Sequence, residues 1–563
     1  MAATDFAAPA TARPAAIINS RPRKRSTGMG HARALVVEPN STTRSVMCAQ
    51  LRDMGVADVR HTAKLADARL LLERERFDIV LCSRDFEDPE ITGQDLVDEL
   101  RREQLLPHAT VFIMIATQAT YAQVTEAGEA SLDGLLLRPY TAATMAERVM
   151  EARRRKQELA DLLGALSDGD FAQATQLALA RYHRGAAYAG YAARVAAELL
   201  LMRGDTQGLQ TLCEHVLQQG TAEWARLAMV RAQVHRGDLA AARRACESLL
   251  DEQPGNADAF DLLGRIHLEH GDIARALDAY RRAVELTPGC LLRLQACGTL
   301  AFYAHDNTLA LQTLDRCVSL GVRSKLFDAL SLFLLAVLQF DARNHKGMLA
   351  AHEQLRRYAQ RFPESTRLAG LDQAVSVLVH VQRNELDAAQ SLARDLAAAL
   401  ETDEGTLEQG IVALTAWSRL PSRDVSAGEL EAVVRVIGNR FCVSKSMTEL
   451  LAAAGDANPQ IRTIVKACQQ ETAEYLEQAM SHALAGRPRE TVCALLDRGH
   501  TTRNAKLLET ATLVARRYGE QIPDGPELAE DAVATTARVC QPVTLVAGIR
   551  RTGRSAGGLV LRT

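Results

Sequence analysis

Residues 257–290 read ADAFDLLGRIHLEHGDIARALDAYRRAVELTPGC. Two stretches with helical spacing flank one turn. Phe260, Leu263, Gly264 and His267 fall on the first helix, and Gly271-Asp272 makes the turn. Ala276, Tyr280 and Ala283 fall on the second helix, and Pro288 ends it because proline cannot continue a helix. Gly264 and Ala276 are small where the two helices must approach closely. Tyr280 and Ala283 alternate large and small, so neighbouring hairpins can interlock. A single hairpin cannot bury its own apolar face, so such units stack.

The pattern extends in both directions. Gly237, Ala242, Cys246 and Pro254 repeat the register of Gly271, Ala276, Tyr280 and Pro288. Gly-Asp recurs at 169–170, 204–205, 237–238 and 271–272, close to a period of about 34 residues. More degenerate units follow at His305-Asp306 with Ala310 and at Asn384-Glu385 with Ala389, and Gly486-Arg487 marks a last hairpin. Between Arg343 and Pro363 the register slips, which predicts an interruption of the superhelix. The 257–290 unit resembles a tetratricopeptide repeat nearly position by position, with His267 where an aromatic is usual. The resemblance implies an all-α superhelical solenoid over residues 157–521 whose signature residues serve packing and whose concave face holds a ligand.

Upstream, residues 31–156 alternate short apolar runs with amphipathic helices. The runs are Ala34–Val37, Asp78–Cys82, Val111–Ile115 and Leu135–Leu137, with a weaker one at Val56–Val59. Five short strands separated by helices describe a doubly wound parallel α/β unit. Function in such a unit sits beyond the carboxyl ends of the strands.

The stretch from Ala34 to Arg44 resembles the opening of a response-regulator receiver domain. So do Phe77–Cys82, Gly93–Val97 with Leu100-Arg101, and Gly134–Tyr140. The resemblance covers about residues 32–155 and implies a flavodoxin-like fold. It also implies two carboxylates after the first strand to hold Mg²⁺, and an aspartate after the third to accept a phosphoryl group. A hydroxyl residue after the fourth strand and a lysine after the fifth complete the set. Mg²⁺ takes hard oxygen ligands, and phosphoryl transfer needs positive charge against the developing negative charge. Here the metal pair is Glu38 and Pro39. Counting along the third strand puts Ser83 at the acceptor position; counting back from Gly93 puts Asp85 there. Strand length is constrained by the sheet while the following loop can vary, which favours Ser83. The hydroxyl position falls on Ala116, with Thr117 adjacent, the lysine position on Arg138, and the aromatic switch position on Leu135. A serine would not form an acyl phosphate. If Asp85 is the acceptor, then Glu38, Asp85 and Arg138 make a poor phosphoryl-accepting site with Mg²⁺ weakly held at Glu38 and Asp85; otherwise no cofactor is expected.

Composition narrows the remaining classes. Of 563 residues, 47% are hydrophobic but only 4% aromatic, which suits closely packed Ala- and Leu-rich helices and not a base-stacking surface. The formal net charge of −3 gives no global pull toward nucleic acid. The 11 cysteines form no C-x-x-C pair and read as apolar fillers in a reducing compartment. The strongest apolar run, Leu330–Leu338, is too short to span a membrane, and no apolar stretch follows the basic residues 21–25 as in a secretory signal. These features predict a cytoplasmic location. Residues 1–30 and 522–563 read as disordered tails. His345 and His352 are the nearest approach to a histidine pair and read as surface residues. No nucleophile elbow, zinc motif or Walker loop occurs.

The leading expectation is a non-enzymatic signalling adaptor of a two-component phosphorelay. Its receiver has lost phosphorylation and docks on a histidine kinase, a phosphotransfer protein or another response regulator, while its repeats hold a second protein. The alternative is a response regulator phosphorylated at Asp85 with the repeats as output, the signal passing through a linker helix at Glu151–Leu163. Nucleic-acid binding through residues 21–25 ranks last.

Overall fold

The computed structural model describes residues 29–86, 93, 96–97, 100, 105–107, 109–117, 133–220, 222–322, 327–421, 425–519 and 521–539. Both expected tails therefore lie largely outside the described residues.

The N-terminal unit holds β1 (Arg33–Val37), α1 (Ser41–Asp53), β2 (Asp58–Thr62), α2 (Leu65–Arg74), β3 (Ile79–Ser83), β4 (Val111–Ala116), β5 (Gly134–Leu137) and α3 (Ala142–Glu158). All strand pairs are parallel, in the order β2-β1-β3-β4-β5. Helices cover both faces, so β1, β3 and β4 are buried almost throughout and, apart from Arg33 and Ser83 at their ends, apolar instead of alternating. Val36, Leu81 and Ile113 pack toward α1 and α3, while Leu35, Val80 and Phe112 pack toward α2. The second strand lies at the sheet edge and reads DVRHT, with mostly exposed side chains. That is why its apolar signal is weak and its span is two to three residues later than the sequence suggests.

The helical region follows without a loop. Only Leu159 separates α3 from α4 (Ala160–Asp168). Leu159 is already part of the repeat core with Leu162 and Leu199. The hairpins then run α5 (Phe171–His183), α6 (Ala189–Met202), α7 (Thr206–Gln219), α8 (Glu223–His235), α9 (Leu239–Glu252), α10 (Ala257–Glu269), α11 (Ile273–Leu286), α12 (Leu291–Tyr303) and α13 (Asn307–Gly321). Next come α14 (Leu330–Asp341), α15 (His345–Ala359), α16 (Thr366–Gln382), α17 (Leu386–Ala398), α18 (Leu407–Trp417), α19 (Ala427–Phe441) and α20 (Lys445–Ala454). The last four are α21 (Pro459–Leu484), α22 (Pro488–Thr502), α23 (Ala505–Arg517) and α24 (Gly525–Val539).

One turn recurs through the array. Gly169, Gly204, Gly237 and Gly271 each adopt positive φ, and the aspartate that follows caps the next helix by accepting a backbone N–H. His305 with Asp306 repeats the device. So does Arg343 (φ 55°) with Asn344, which accepts the Gly347 N–H at 3.1 Å. The expected interruption at Arg343–Pro363 is thus absent. The helix α15 packs on α14 and α16, and its Met348, Ala351 and Leu355 join the same core as Leu314 and Leu371. The register looked broken because an arginine occupies the left-handed position that glycine fills in the clearest units.

Three other expectations are corrected. The helical array does not end at residue 521. Ile522 is fully buried and α24 packs on α23. The receiver boundary at 156 falls within α3. His352 is not a surface residue but 5% exposed, with its Nε2 2.7 Å from Asp372 Oδ1.

The signature residues of the 257–290 unit pack as their sizes require. A Cβ on Gly264 would stand 2.6 Å from the Tyr280 ring, so only glycine lets α11 approach α10 this closely. Ala276, Tyr280 and Ala283 are buried, and Phe260 and Leu263 half-buried. Pro288 follows α11 after Thr287, whose N–H closes the helix on the Ala283 carbonyl. All ten described cysteines are free thiols, nine of them buried. Burial pushes Cys213, Cys246, Cys297 and Cys442 up to about 12, so these thiols stay protonated.

Candidate functional site

Parallel strands of equal direction end at one edge of the sheet, and four residues singled out from the sequence gather there. Glu38 follows β1, Ser83 closes β3, Ala116 closes β4, and Arg138 follows β5. The strand ladder fixes their neighbours. Ser83 pairs with Ile115 and Ala116 with Leu137, and the Arg138 N–H donates to the Ala116 carbonyl at 2.9 Å.

The side chains at this edge form a closed polar set. Arg138 Nη2 donates to Glu38 Oε2 in an ion pair and stands 3.3 Å from Ser83 Oγ. Glu38 Oε1 accepts the Asn40 N–H at 3.0 Å. Both oxygens of Glu38, a residue only 1% exposed, are therefore engaged. Arg44, one turn into α1, donates to the Glu38 and Pro39 carbonyls at 2.6 and 3.1 Å and holds the chain between β1 and α1. The roles of Asn40 and Arg44 were not assigned from the sequence; their only signal is their closeness to Glu38. Pro39 contributes no carboxylate and Ala116 no hydroxyl. Thr117 is exposed. Leu135 is half-buried and packs on the α2 side of the sheet with Phe112 and Met114.

Asp85 is not part of this set. It is exposed two residues beyond the strand, and its side chain has no partner among the described residues. Gly93 explains why two counts disagreed. Its N–H donates to the Arg84 carbonyl at 2.9 Å, and a Cβ there would lie 2.3 Å from the Ser83 carbonyl oxygen. The chain thus returns against Ser83 and Arg84, not against Asp85.

The metal that the fold family implies finds few ligands here. A divalent cation wants several hard oxygens. Among the described residues Glu38 is the only carboxylate in the set, and it is committed to Arg138 and Asn40. Among the described residues no group of three His, Cys, Asp or Glu could hold a metal ion. The described residues in place do not fit an Mg²⁺ site.

At the opposite end of β5, Asp133 links the receiver unit to the array. Its Oδ2 accepts the Phe112 N–H at 2.9 Å, and its Oδ1 pairs with Arg155 and with Lys156 at 3.1 Å. The Arg155 guanidinium lies 5.8 Å from the ring centre of Tyr191 on α6. Among the described residues no helix is long and apolar enough to cross a membrane.

Comparison with known proteins agrees with this architecture. The family model for the response regulator receiver domain matches residues 34–150, and that for a tetratricopeptide repeat matches residues 227–289. The chemotaxis protein CheY-3 of Vibrio cholerae is 32% identical over 115 residues, 20% of this chain and 86% of CheY-3. The chemotaxis protein CheY of Pseudomonas aeruginosa is 30% identical over 115 residues, 20% of this chain and 90% of that protein. A CheY homolog of Campylobacter jejuni is 28% identical over 115 residues, 20% of this chain and 87% of that protein. Through residues 34–150 the chain belongs to the response-regulator receiver family, and tetratricopeptide repeats follow that domain.

Proposed function

We propose that this protein is a cytoplasmic, non-enzymatic adaptor of a bacterial two-component phosphorelay whose receiver does not accept a phosphoryl group. The observation that carries the reading is the Arg138–Glu38 ion pair with the Ser83 hydroxyl beside it. Ser83 stands in for the acceptor aspartate, and a hydroxyl brings no negative charge to recruit Mg²⁺. Arg138 stands in for the lysine and supplies the cation internally. Its planar fork is suited to a carboxylate partner. Pro39 removes the second metal ligand and Ala116 the hydroxyl. The unit keeps a receiver's shape, which docks on a histidine kinase, a phosphotransfer protein or another response regulator, while the repeats hold a second protein.

The test is incubation of the full chain with acetyl phosphate and Mg²⁺, followed by intact mass measurement. No adduct is expected for the wild type or for Asp85→Ala. An acid-stable, hydroxylamine-labile adduct that disappears in Asp85→Ala would overturn the reading in favour of a phosphorylatable regulator using Asp85.

A further inference from the structure

Successive first helices of the hairpins touch one another: α6 with α8, α8 with α10, α12 with α14, α14 with α16 and α16 with α18. That contact puts them on the inside of the solenoid's curve, the side on which such arrays present a groove. In this protein the groove is not empty. The short helix α20 packs on α10, α12 and α18 at once, although its nearest sequence neighbour among them is α18. Ser446, Thr448, Leu450, Leu451, Ala452 and Ala454 are each at most 1% exposed, and all thirteen residues of α12 are buried. At the two ends of α20, Lys445 seats against Gly271 and Asp456 pairs with His305 at 3.0 Å, both at hairpin turns.

The seat is apolar. Thr448 Oγ1 donates to the Ser444 carbonyl at 2.9 Å, Ser446 Oγ lies 3.0 Å from Ser444 Oγ, and Glu449 pairs with Lys466 on α21. Among the described residues, no side chain of α20 hydrogen-bonds to α10, α12 or α18. The groove itself keeps an unused donor. Glu198, Arg231, Arg265 and Thr299 share one register position, each six residues before the left-handed turn residue of its hairpin. Arg231 reaches Glu198 at 3.1 Å across neighbouring first helices, so that position lies on the side along which the first helices meet. Thr299 is 0% exposed and its Oγ1 has no hydrogen-bond partner among the described residues. A buried hydroxyl left unpaired costs free energy that a better-matched ligand recovers.

We propose that α20 is a resident occupant of the groove formed by α10, α12 and α18. The groove receives in its place a partner's short amphipathic helix. That helix presents a Leu/Ala face and a hydrogen-bond acceptor opposite Thr299. This rests on the reading of the array as a holder of a protein partner. It is independent of the receiver's chemistry, so an acetyl phosphate result in either direction leaves it standing.

Two measurements on the full chain test it. Hydrogen exchange of the wild type should show the α20 amides exchanging at least tenfold faster than those of α12 and α18, in an opening short of global unfolding. A labelled peptide spanning residues 443–457 should bind a Leu450→Asp/Leu451→Asp variant at least tenfold more tightly than it binds wild type, because the variant vacates the seat. The same peptide carrying both aspartates should bind neither. Exchange of α20 only together with α12 would overturn the proposal, and this measurement decides the matter if the variant does not fold. A folded variant that fails to bind the peptide would overturn it as well.

Discussion

At the scale of single residues, the array turns on whether a side chain has room. Gly264 and Gly370 both sit inside helices, but a Cβ at Gly264 meets the Tyr280 ring at 2.6 Å, whereas one at Gly370 meets nothing within 4 Å. Alanine is the better helix former by about 1 kcal/mol at either site. Gly370→Ala should therefore stabilise by up to about 1 kcal/mol, while Gly264→Ala should destabilise by about 1–2 kcal/mol because overpacking outweighs the helix gain. Paired thermal melts check the opposite signs. His267, at the position where an aromatic is usual, is 8% exposed, and burial holds its imidazole below the ordinary histidine value, with Asp272 opposing. The folded state thus keeps His267 neutral. As pH falls below about 6.5 the unfolded chain takes up a proton that the folded chain resists, so stability declines on the acid side. Between pH 7.5 and 5.5 the melting temperature of wild type should fall more steeply than that of His267→Phe; equal slopes would contradict this. Gly264, Tyr280 and His267 were all legible in the sequence, because the hairpin that joins them is local. His352 was not, because its burial depends on Asp372 in the next hairpin.

At the scale of elements, the recurring unit is a left-handed turn residue followed by a helix cap. Where the turn residue is glycine it is visible as Gly-Asp. Arg343 takes the same conformation at a cost of about 1–2 kcal/mol relative to an unstrained residue. Its side chain is exposed and the cap is carried by Asn344. Arg343→Gly should raise stability by about 1 kcal/mol or somewhat less, since glycine also adds entropy to the unfolded chain. A chemical denaturation midpoint that stays unchanged or falls would show that the arginine is not strained. The strands were legible for a related reason. Those at the sheet's centre are apolar but for Arg33 and Ser83 at their ends, and β2, at the edge, blurred its own limits most.

At the scale of the whole molecule, the receiver and the array are not joined by a linker. The last receiver helix runs into the first repeat helix with Leu159 alone between them, and Arg155 on that helix stacks on Tyr191. An array beginning at residue 142 should be more stable than one beginning at residue 160 by about 1 kcal/mol or more, the scale of one cation–π contact plus the lost helical turns. Equal melting temperatures for the two fragments would argue that α3 belongs to the receiver alone. The amino-acid sequence by itself determined the two architectures and, but for the choice between Ser83 and Asp85, which residues follow the strands, because periodicity, turn residues and strand length act over short distances. Tertiary structure alone decided the rest. Glu38 meets Arg138 across 100 residues of chain, and the Ser83 hydroxyl lies with that pair while Asp85 does not. Likewise, α20 lies against α10, far earlier in the chain. Contacts of that separation leave no periodic trace in a sequence; they exist only once the sheet and the solenoid bring distant ends together.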